Sequence, residues 1–130
     1  MKKIENKIVE NKVALSFREL ANKRILFRLS NTKRNNTISF NIYEKAKNST
    51  TILEAFNNDY RKIDIEYDTT KNNRFKKVNL LIDLNSYLDK SKKNLYLDLI
   101  NSNKEFIKKN KVDNSIIENI KYFEDKIKNL

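Results

Sequence analysis

Arginine side chains suited to phosphate binding are concentrated near the start of the chain. Four of the six arginines fall within the 17 residues from Arg18 to Arg34. A guanidinium presents N–H donors in a fixed fork that matches a phosphate or a carboxylate, and a tyrosine ring offers a stacking surface for a base. These residue types predict a surface that contacts the backbone of DNA or RNA. The predicted nucleic-acid contacts are Arg18, Arg24, Arg28, Lys33, Arg34 and Tyr43.

The composition removes most catalytic chemistry. Gly, Pro, Cys, His and Trp are all absent from the 130 residues. Without His, no side chain has an unperturbed pKa near neutrality; without Cys, there is no thiolate nucleophile, zinc–thiolate site or disulfide. We therefore expect a protein that is not an enzyme and that uses no cofactor and no metal.

Carboxylates provide the one alternative that involves catalysis. Asp64, Glu66 and Asp68 would share one face of a strand, and Asp83 would point the same way from a neighbouring strand. Such a group could hold a divalent ion in a nuclease. Lysines 62, 76 and 77 are placed to pair with these carboxylates, so the pattern favours ion pairs on a polar face over a metal site.

The charge of the chain is uneven. The formal net charge is +11; residues 1–34 carry +7 and residues 90–130 carry +4, whereas the stretch between them is balanced. Lys, Asn and Ile fill 58 positions, a bias typical of an AT-rich genome, such as that of a phage or plasmid. The placement of the arginines is therefore more informative than the number of lysines.

Three alternating segments in the first half predict strands. Apolar residues alternate with polar ones over 13–18, 25–29 and 38–43, which is the period of a half-buried strand. Pairing the second segment with the third places Phe27 opposite Phe40 and Ile25 opposite Ile42, so a three-stranded meander results. Residues 13–29 also fit a helical spacing, and that alternative stays open.

The second half predicts further strands and then helices. A short helix near 50–57 follows a cap at Ser49 or Thr50, and alternation over 62–68 and 77–84 predicts two more strands. Residues 94–100 fit a strand or a helix. Residues 102–130 are predicted to be helical, with Ser115 and Glu118 forming a capping box.

The last helix carries an apolar seam. The seam either covers the sheet or pairs with a second copy of the chain, which would make a homodimer. Its residues, the predicted self-association positions, are Ile116, Ile120, Phe123 and Ile127.

These elements predict an α+β fold in which an antiparallel sheet, built from β-meanders or hairpins, is covered by C-terminal helices. We expect a single domain over residues 1–130, with residues 1–11 forming a helix or a basic arm. No apolar run approaches the length of a membrane span, and the basic start lacks the apolar block of a secretory signal. We therefore expect a cytoplasmic protein that does not bind membranes.

Two functions fit this sequence. The first is non-catalytic nucleic-acid binding, in which a basic sheet face and the adjoining hairpin loop contact the phosphate backbone. The second is a small phage- or plasmid-encoded inhibitor or adaptor, of an anti-defence type, that occupies the surface of a host or defence protein. DNA and RNA, and single and double strands, are not distinguished by the sequence.

Overall fold

A computed structural model describes residues 17–69 and 77–130 of the chain. The predicted helix or arm at residues 1–11 and the first part, 13–16, of the strand predicted over 13–18 lie outside the described residues. Within them, two 3₁₀ turns, Asn85–Tyr87 and Lys90–Lys92, follow the second strand. In chain order the elements are α1 (Phe17–Ala21), β1 (Ile25–Phe27), α2 (Ile38–Ala46), α3 (Ile52–Asn57), α4 (Lys62–Asp68), β2 (Leu80–Ile82), α5 (Lys93–Lys109) and α6 (Asn114–Lys128).

The two strands form an antiparallel pair between distant parts of the chain. Ile25 pairs with Ile82, Leu26 with Leu81 and Phe27 with Leu80. A fold of mixed helices and antiparallel sheet is therefore confirmed, and so are strands within 25–29 and 77–84. The predicted meander is wrong, because residues 17–21 and 38–46 are helical and β1 pairs with β2 instead.

Both faces of this strand pair are buried. Leu26 and Leu81 belong to one apolar cluster, which they share with residues of α5 and α6. Ile25, Phe27 and Ile82 belong to a second cluster, which they share with residues of α2, α3 and α4. Each strand consists of three successive apolar residues, as expected for a strand that is buried on both faces of the sheet. The predicted division of β1 into one apolar and one wet face is therefore wrong.

The segment 38–43, predicted to be a strand from its alternating apolar and polar residues, is helical because Thr37 caps a helix start there. Asn36 has a φ of 65°, a left-handed conformation that Asn tolerates better than most residues. The Thr37 hydroxyl then accepts a hydrogen bond from the amide of Phe40 at 3.1 Å, which satisfies one free donor of the first turn. Tyr43 and Ala46, three residues apart, bury the inner face, while Ile38 is 76% exposed.

The segment 62–68, also predicted as a strand, is helix α4. Its first turn is capped by Asp64, whose carboxylate accepts a hydrogen bond from the backbone N–H of Arg61 at 3.0 Å. Asp59, with a φ of 70°, turns the chain just before this helix. Ile65 and Asp68 form the buried side of α4, whereas Ile63 is 65% exposed.

The short helix predicted near residues 50–57 is confirmed as α3. Its cap is Thr51 rather than Ser49 or Thr50, since the Thr51 hydroxyl accepts a hydrogen bond from the amide of Glu54 at 3.1 Å. The Glu54 carboxylate in turn accepts one from the amide of Thr50 at 2.6 Å. Two side chains thus satisfy backbone donors at this helix start.

The helices predicted for the last third are present. Residues 94–100 belong to α5, so the helical alternative applies there. The predicted capping box is wrong, because α6 begins at Asn114 and places Ser115 inside the first turn. The apolar seam packs into the same cluster as Leu26 and Leu81. Its four residues are all buried: Ile116, Ile120, Phe123 and Ile127.

Two buried amides join these helices to β1. Asn103 of α5 accepts a hydrogen bond from the N–H of Leu29 at 2.8 Å and donates one to the carbonyl of Phe27 at 2.9 Å. Asn119 of α6 donates to the carbonyl of Ile25 at 2.7 Å. Because a third strand does not supply these bonds, side-chain amides satisfy the open edge of β1.

Candidate functional site

Arg28, at the centre of the predicted nucleic-acid contacts, is buried and only 3% exposed. Its guanidinium donates to the carbonyl of Val78 at 3.0 and 3.2 Å, to the side chain of Asn79 at 3.2 Å and to the carboxylate of Asp98 at 2.8 Å. Buried charges require such partners. Arg28 therefore joins β1 to the start of β2 and to α5, and its predicted role as a phosphate contact is wrong.

Tyr43, the predicted stacking residue, is fully buried. Its hydroxyl donates to the carbonyl of Arg28 at 2.5 Å, and its ring meets the ring of Phe27 edge to face at 5.5 Å. Burial raises the pKa of this hydroxyl well above its usual range. The ring has no free face for a base, so this predicted role is also wrong.

Two further predicted cations, Arg24 and Arg18, lie outside strands β1 and β2. Arg24 lies over the ring of Tyr122, with its Cζ 4.0 Å from the ring centroid, on the side of the molecule formed by α6. Arg18 lies in helix α1 rather than in a strand, and its side chain is outside the described part. Antiparallel pairing therefore does not gather these arginines on one wet sheet face.

Lys33 and Arg34 are the two predicted contacts that the structure places together. They line a cleft of about 500 Å³ between a wall formed by residues 33–42 and a wall formed by residues 60–68. We call it the α4 cleft. Its volume lies in the range of ligand-binding sites. Each wall contains a helix start that follows a left-handed residue, Asn36 or Asp59, so local turn chemistry shapes both sides.

The charges of the α4 cleft are largely paired. Lys33 contacts the carboxylate of Asp68 at 2.5 Å, and Arg61 binds the carboxylate of Asp64 through two N–H donors at 2.8 and 2.9 Å. Burial raises the pKa of the Asp68 carboxyl, although the Lys33 ammonium and the amide of Asn79 lower it in part. Arg34 is exposed and forms no ion pair with another described residue.

Aromatic side chains occupy the same cleft. The Lys33 ammonium lies 4.8 Å from the ring centroid of Tyr67 and 5.8 Å from that of Tyr43, both within the range of a cation–π contact. Tyr67 is nevertheless 47% exposed. Lys33 is thus held in place by an ion pair and two rings, while the outer part of Tyr67 stays accessible.

Tyr60 is one of the buried residues that line the cleft. It is 3% exposed, and its ring packs edge to face on Phe27 with 5.0 Å between centroids. Among residues 17–69 and 77–130, its buried hydroxyl has no hydrogen-bond partner. Leaving a buried hydroxyl unpaired costs about 1–3 kcal/mol, and Tyr60 is one of the residues that line the cleft.

Large apolar side chains are exposed around the α4 cleft. Ile63 and Tyr67 line it, and Ile38 lies between the lining residues Thr37 and Ser39 in the chain. Exposed apolar groups that gather at one place on a surface mark an interaction site. Two of the five large apolar residues exposed in the described part, Ile63 and Tyr67, line the cleft.

The carboxylates considered for a metal site do not converge. Asp64 and Asp68, four residues apart on helix α4, both line the cleft, but each is bound by its own cation, Arg61 or Lys33. Asp83 binds Lys126 at 2.7 Å and accepts a hydrogen bond from Tyr122. In the described ranges, no group of three metal-binding side chains is present. The shared carboxylate face predicted for a strand is therefore wrong.

The residues predicted for self-association lie in the chain's own core. Ile116 and Ile120 are 4% and 3% exposed, and Phe123 and Ile127 are fully buried. Their partners are residues of β1, β2 and α5. They are therefore not available to a second copy of the folded chain.

Sequence reasoning missed the second wall of the α4 cleft. Tyr60, Arg61, Ile63 and Tyr67 stand in a stretch whose charges balance and whose alternation predicted a strand. The spacing of Arg61 and Asp64 was the signal that could have shown a helix start, since a carboxylate three residues into a helix can accept from the preceding backbone N–H.

Comparison with known proteins does not identify a relative of this chain. No protein-family model, curated protein or solved structure matches the chain. Among the described helices, none combines the length and the apolar character needed to cross a bilayer. The fold and the α4 cleft are therefore the observations on which a function must be argued.

Proposed function

We propose that this chain is a non-catalytic protein-binding module that docks its partner on the α4 cleft. The observation that supports the proposal is the exposed pair Ile63 and Tyr67, which lines the same cleft as Arg34 and Arg61. Tyrosine and arginine are enriched among the residues that dominate interface energies. Ile63 adds exposed apolar area, and burying that area against a partner is favourable.

The charge of the cleft favours a protein partner over a polyanion. Its lining has three cations, at 33, 34 and 61, and two carboxylates, at 64 and 68, which gives a net charge of +1. Nucleic-acid surfaces neutralise several successive phosphates and need an uninterrupted positive track. Two carboxylates in the same lining would repel such a backbone.

This function agrees with the second of the two predicted functions. A small inhibitor or adaptor needs a rigid fold and an exposed contact surface, without cofactor chemistry. In this chain, Thr37 caps helix α2 and Asp64 caps the first turn of helix α4, so the helix start in each wall of the cleft is held by a hydrogen bond. Rigid walls reduce the entropy lost on binding. That the chain comes from a phage or plasmid, and that its target is a defence protein, stays a prediction from composition.

Nucleic-acid binding is a second candidate, in a different place from the predicted sheet face. Lys33 and Arg34 are both at the α4 cleft, and the chain has a formal charge of +11. This candidate requires that an oligonucleotide bind at low salt and that its affinity fall as salt rises. It ranks second because Arg28 and Tyr43 are buried and Arg24 is stacked on Tyr122.

Photo-crosslinking from the rim of the cleft tests the proposed function. Ile63 is replaced by p-benzoylphenylalanine, and the protein is irradiated in nuclease-treated extract of cells that encode the chain. Because an interface excludes water around its apolar contacts, we expect one discrete protein adduct from this position. Excess wild-type chain should compete for the adduct, whereas excess Ile63→Asp protein should not.

The matched control places the same crosslinker at Ile117 of α6, which is 41% exposed. That position lies outside the lining of the cleft and should give no competed adduct. Equal adducts from both positions, or none from position 63, would contradict a docking site at the cleft. An adduct found only when nuclease is omitted would support nucleic acid instead.

A further inference from the structure

We infer that the α4 cleft receives an acidic side chain of the partner, whose carboxylate is bound by Arg34 and accepts a hydrogen bond from the Tyr60 hydroxyl. The inference rests on the proposed protein-binding function and specifies the chemistry of the segment that docks. That segment carries one carboxylate next to an apolar side chain.

Arg34 is the cation that remains for a ligand. Of the three cations that line the cleft, Lys33 is bound to Asp68 and Arg61 to Asp64. Arg34 is exposed and has no ion pair within the described ranges. Its guanidinium can therefore form a bidentate, charge-assisted pair with an incoming carboxylate without first breaking an internal one.

Tyr60 supplies an unused donor in the same cleft. Its hydroxyl is buried and has no partner in the part of the chain that the structure describes. The neighbouring hydroxyl of Tyr43 differs, because it is already bonded to the carbonyls of Arg28 and Asn79. An acceptor that reaches Tyr60 removes the cost of an unpaired buried group, which is a gain specific to the bound state.

The charge selects a carboxylate over a phosphate. The lining has a net charge of +1, and Asp64 and Asp68 both belong to it. One carboxylate neutralises the lining, whereas a phosphomonoester brings close to two negative charges near two fixed carboxylates. Beside Arg34, Ile63 and the exposed part of Tyr67 offer apolar area to the next side chain of the partner.

An NMR titration of the full chain with four probes tests this inference. The first probe is a capped Leu-Glu-Phe-Glu-Leu peptide, the second replaces both Glu by Gln, the third replaces them by phosphoserine, and the fourth is octathymidine. We expect the Glu peptide, at millimolar concentration, to shift the Nε–Hε signal of Arg34 and the ring signals of Tyr60. The Gln peptide should bind about tenfold more weakly, because it loses the charge-assisted bonds.

Three variants locate the effect. Arg34→Gln should abolish the preference for the Glu peptide over the Gln peptide. Arg24→Gln, which removes a cation stacked on Tyr122 away from the cleft, should keep that preference. Tyr60→Phe should weaken the Glu peptide several-fold while thermal unfolding shows that the protein is as stable as the wild type or more stable, since an unpaired buried hydroxyl is lost.

Several results would overturn the inference: equal binding of the Glu and Gln peptides, tighter binding of the phosphoserine peptide or of octathymidine, or no shift of Arg34 and Tyr60 with any peptide. These failures are distinguishable from failure of the proposed function. A competed protein adduct from position 63, together with equal Glu and Gln binding, would keep protein docking and reject the carboxylate.

Discussion

Replacing Arg28 by methionine is expected to lower the free energy of unfolding by about 2–4 kcal/mol. Methionine keeps much of the aliphatic volume but removes every hydrogen bond of the guanidinium to Val78, Asn79 and Asp98. The carbonyl of Val78 then stays buried without this donor. Because Asp98 is 55% exposed, its charge is solvated after the change, so most of the loss comes from the buried bonds. Urea denaturation followed by circular dichroism measures the effect.

Arg34→Gln is the control, because it removes the same charge from an exposed position six residues later. Its free energy of unfolding should stay within about 0.5 kcal/mol of the wild type. If Arg28→Met unfolds at the same urea concentration as Arg34→Gln, Arg28 is not the internal link between β1, β2 and α5 that we describe.

Replacing Ile63 by aspartate is expected to lower the affinity for the partner identified by crosslinking at least about thirtyfold. This is the effect of losing roughly 2 kcal/mol of binding free energy at a central interface residue. Ile63 is 65% exposed, so the folded chain should lose little stability. It lies in the first turn of α4, where a negative charge interacts favourably with the helix dipole. Isothermal titration calorimetry with the purified partner gives the change in affinity.

Leu53→Asp provides a closely matched control. Leu53 occupies the second residue of α3, as Ile63 does in α4, and it is 40% exposed. Both variants therefore place one new carboxylate at the same point of a capped helix. Equal loss of affinity in the two variants would show a general effect of charge and would contradict a docking site at Ile63.

Local sequence signals predicted part of the fold. Alternation over 25–29 and 77–84 predicts strands, and β1 and β2 lie within those segments. The last third is predicted to be helical and is helical. Alternation gave the wrong prediction at 38–43 and 62–68, because a run of isoleucine and aromatic residues fits both the strand and the helix period when the caps are ignored. In both segments the cap was visible, at Thr37 and at Asp64. The pairing of β1 with β2 was not predictable from neighbours, since more than fifty residues separate the strands.

The candidate site could be predicted even less completely. The arginine cluster located Lys33 and Arg34, but placing Arg28 outside required β1 to have a wet face. Ile25, Leu26 and Phe27 have no polar residue among them, and a strand buried on both faces leaves no such surface. Arg28 then needs internal partners, which come from residues 50 or more positions away. The cleft itself depends on packing α4 beside residues 33–42, which no local pattern describes.

Hydrogen exchange of the chain with and without its crosslinked partner tests the docking site most directly. Backbone amides buried in an interface exchange more slowly when the partner is bound. We expect slower exchange in residues 33–42 and in α4 when the partner is bound, with α5 and α6 unchanged. Slower exchange confined to α5 and α6, with the two walls of the α4 cleft unaffected, would contradict a docking site there.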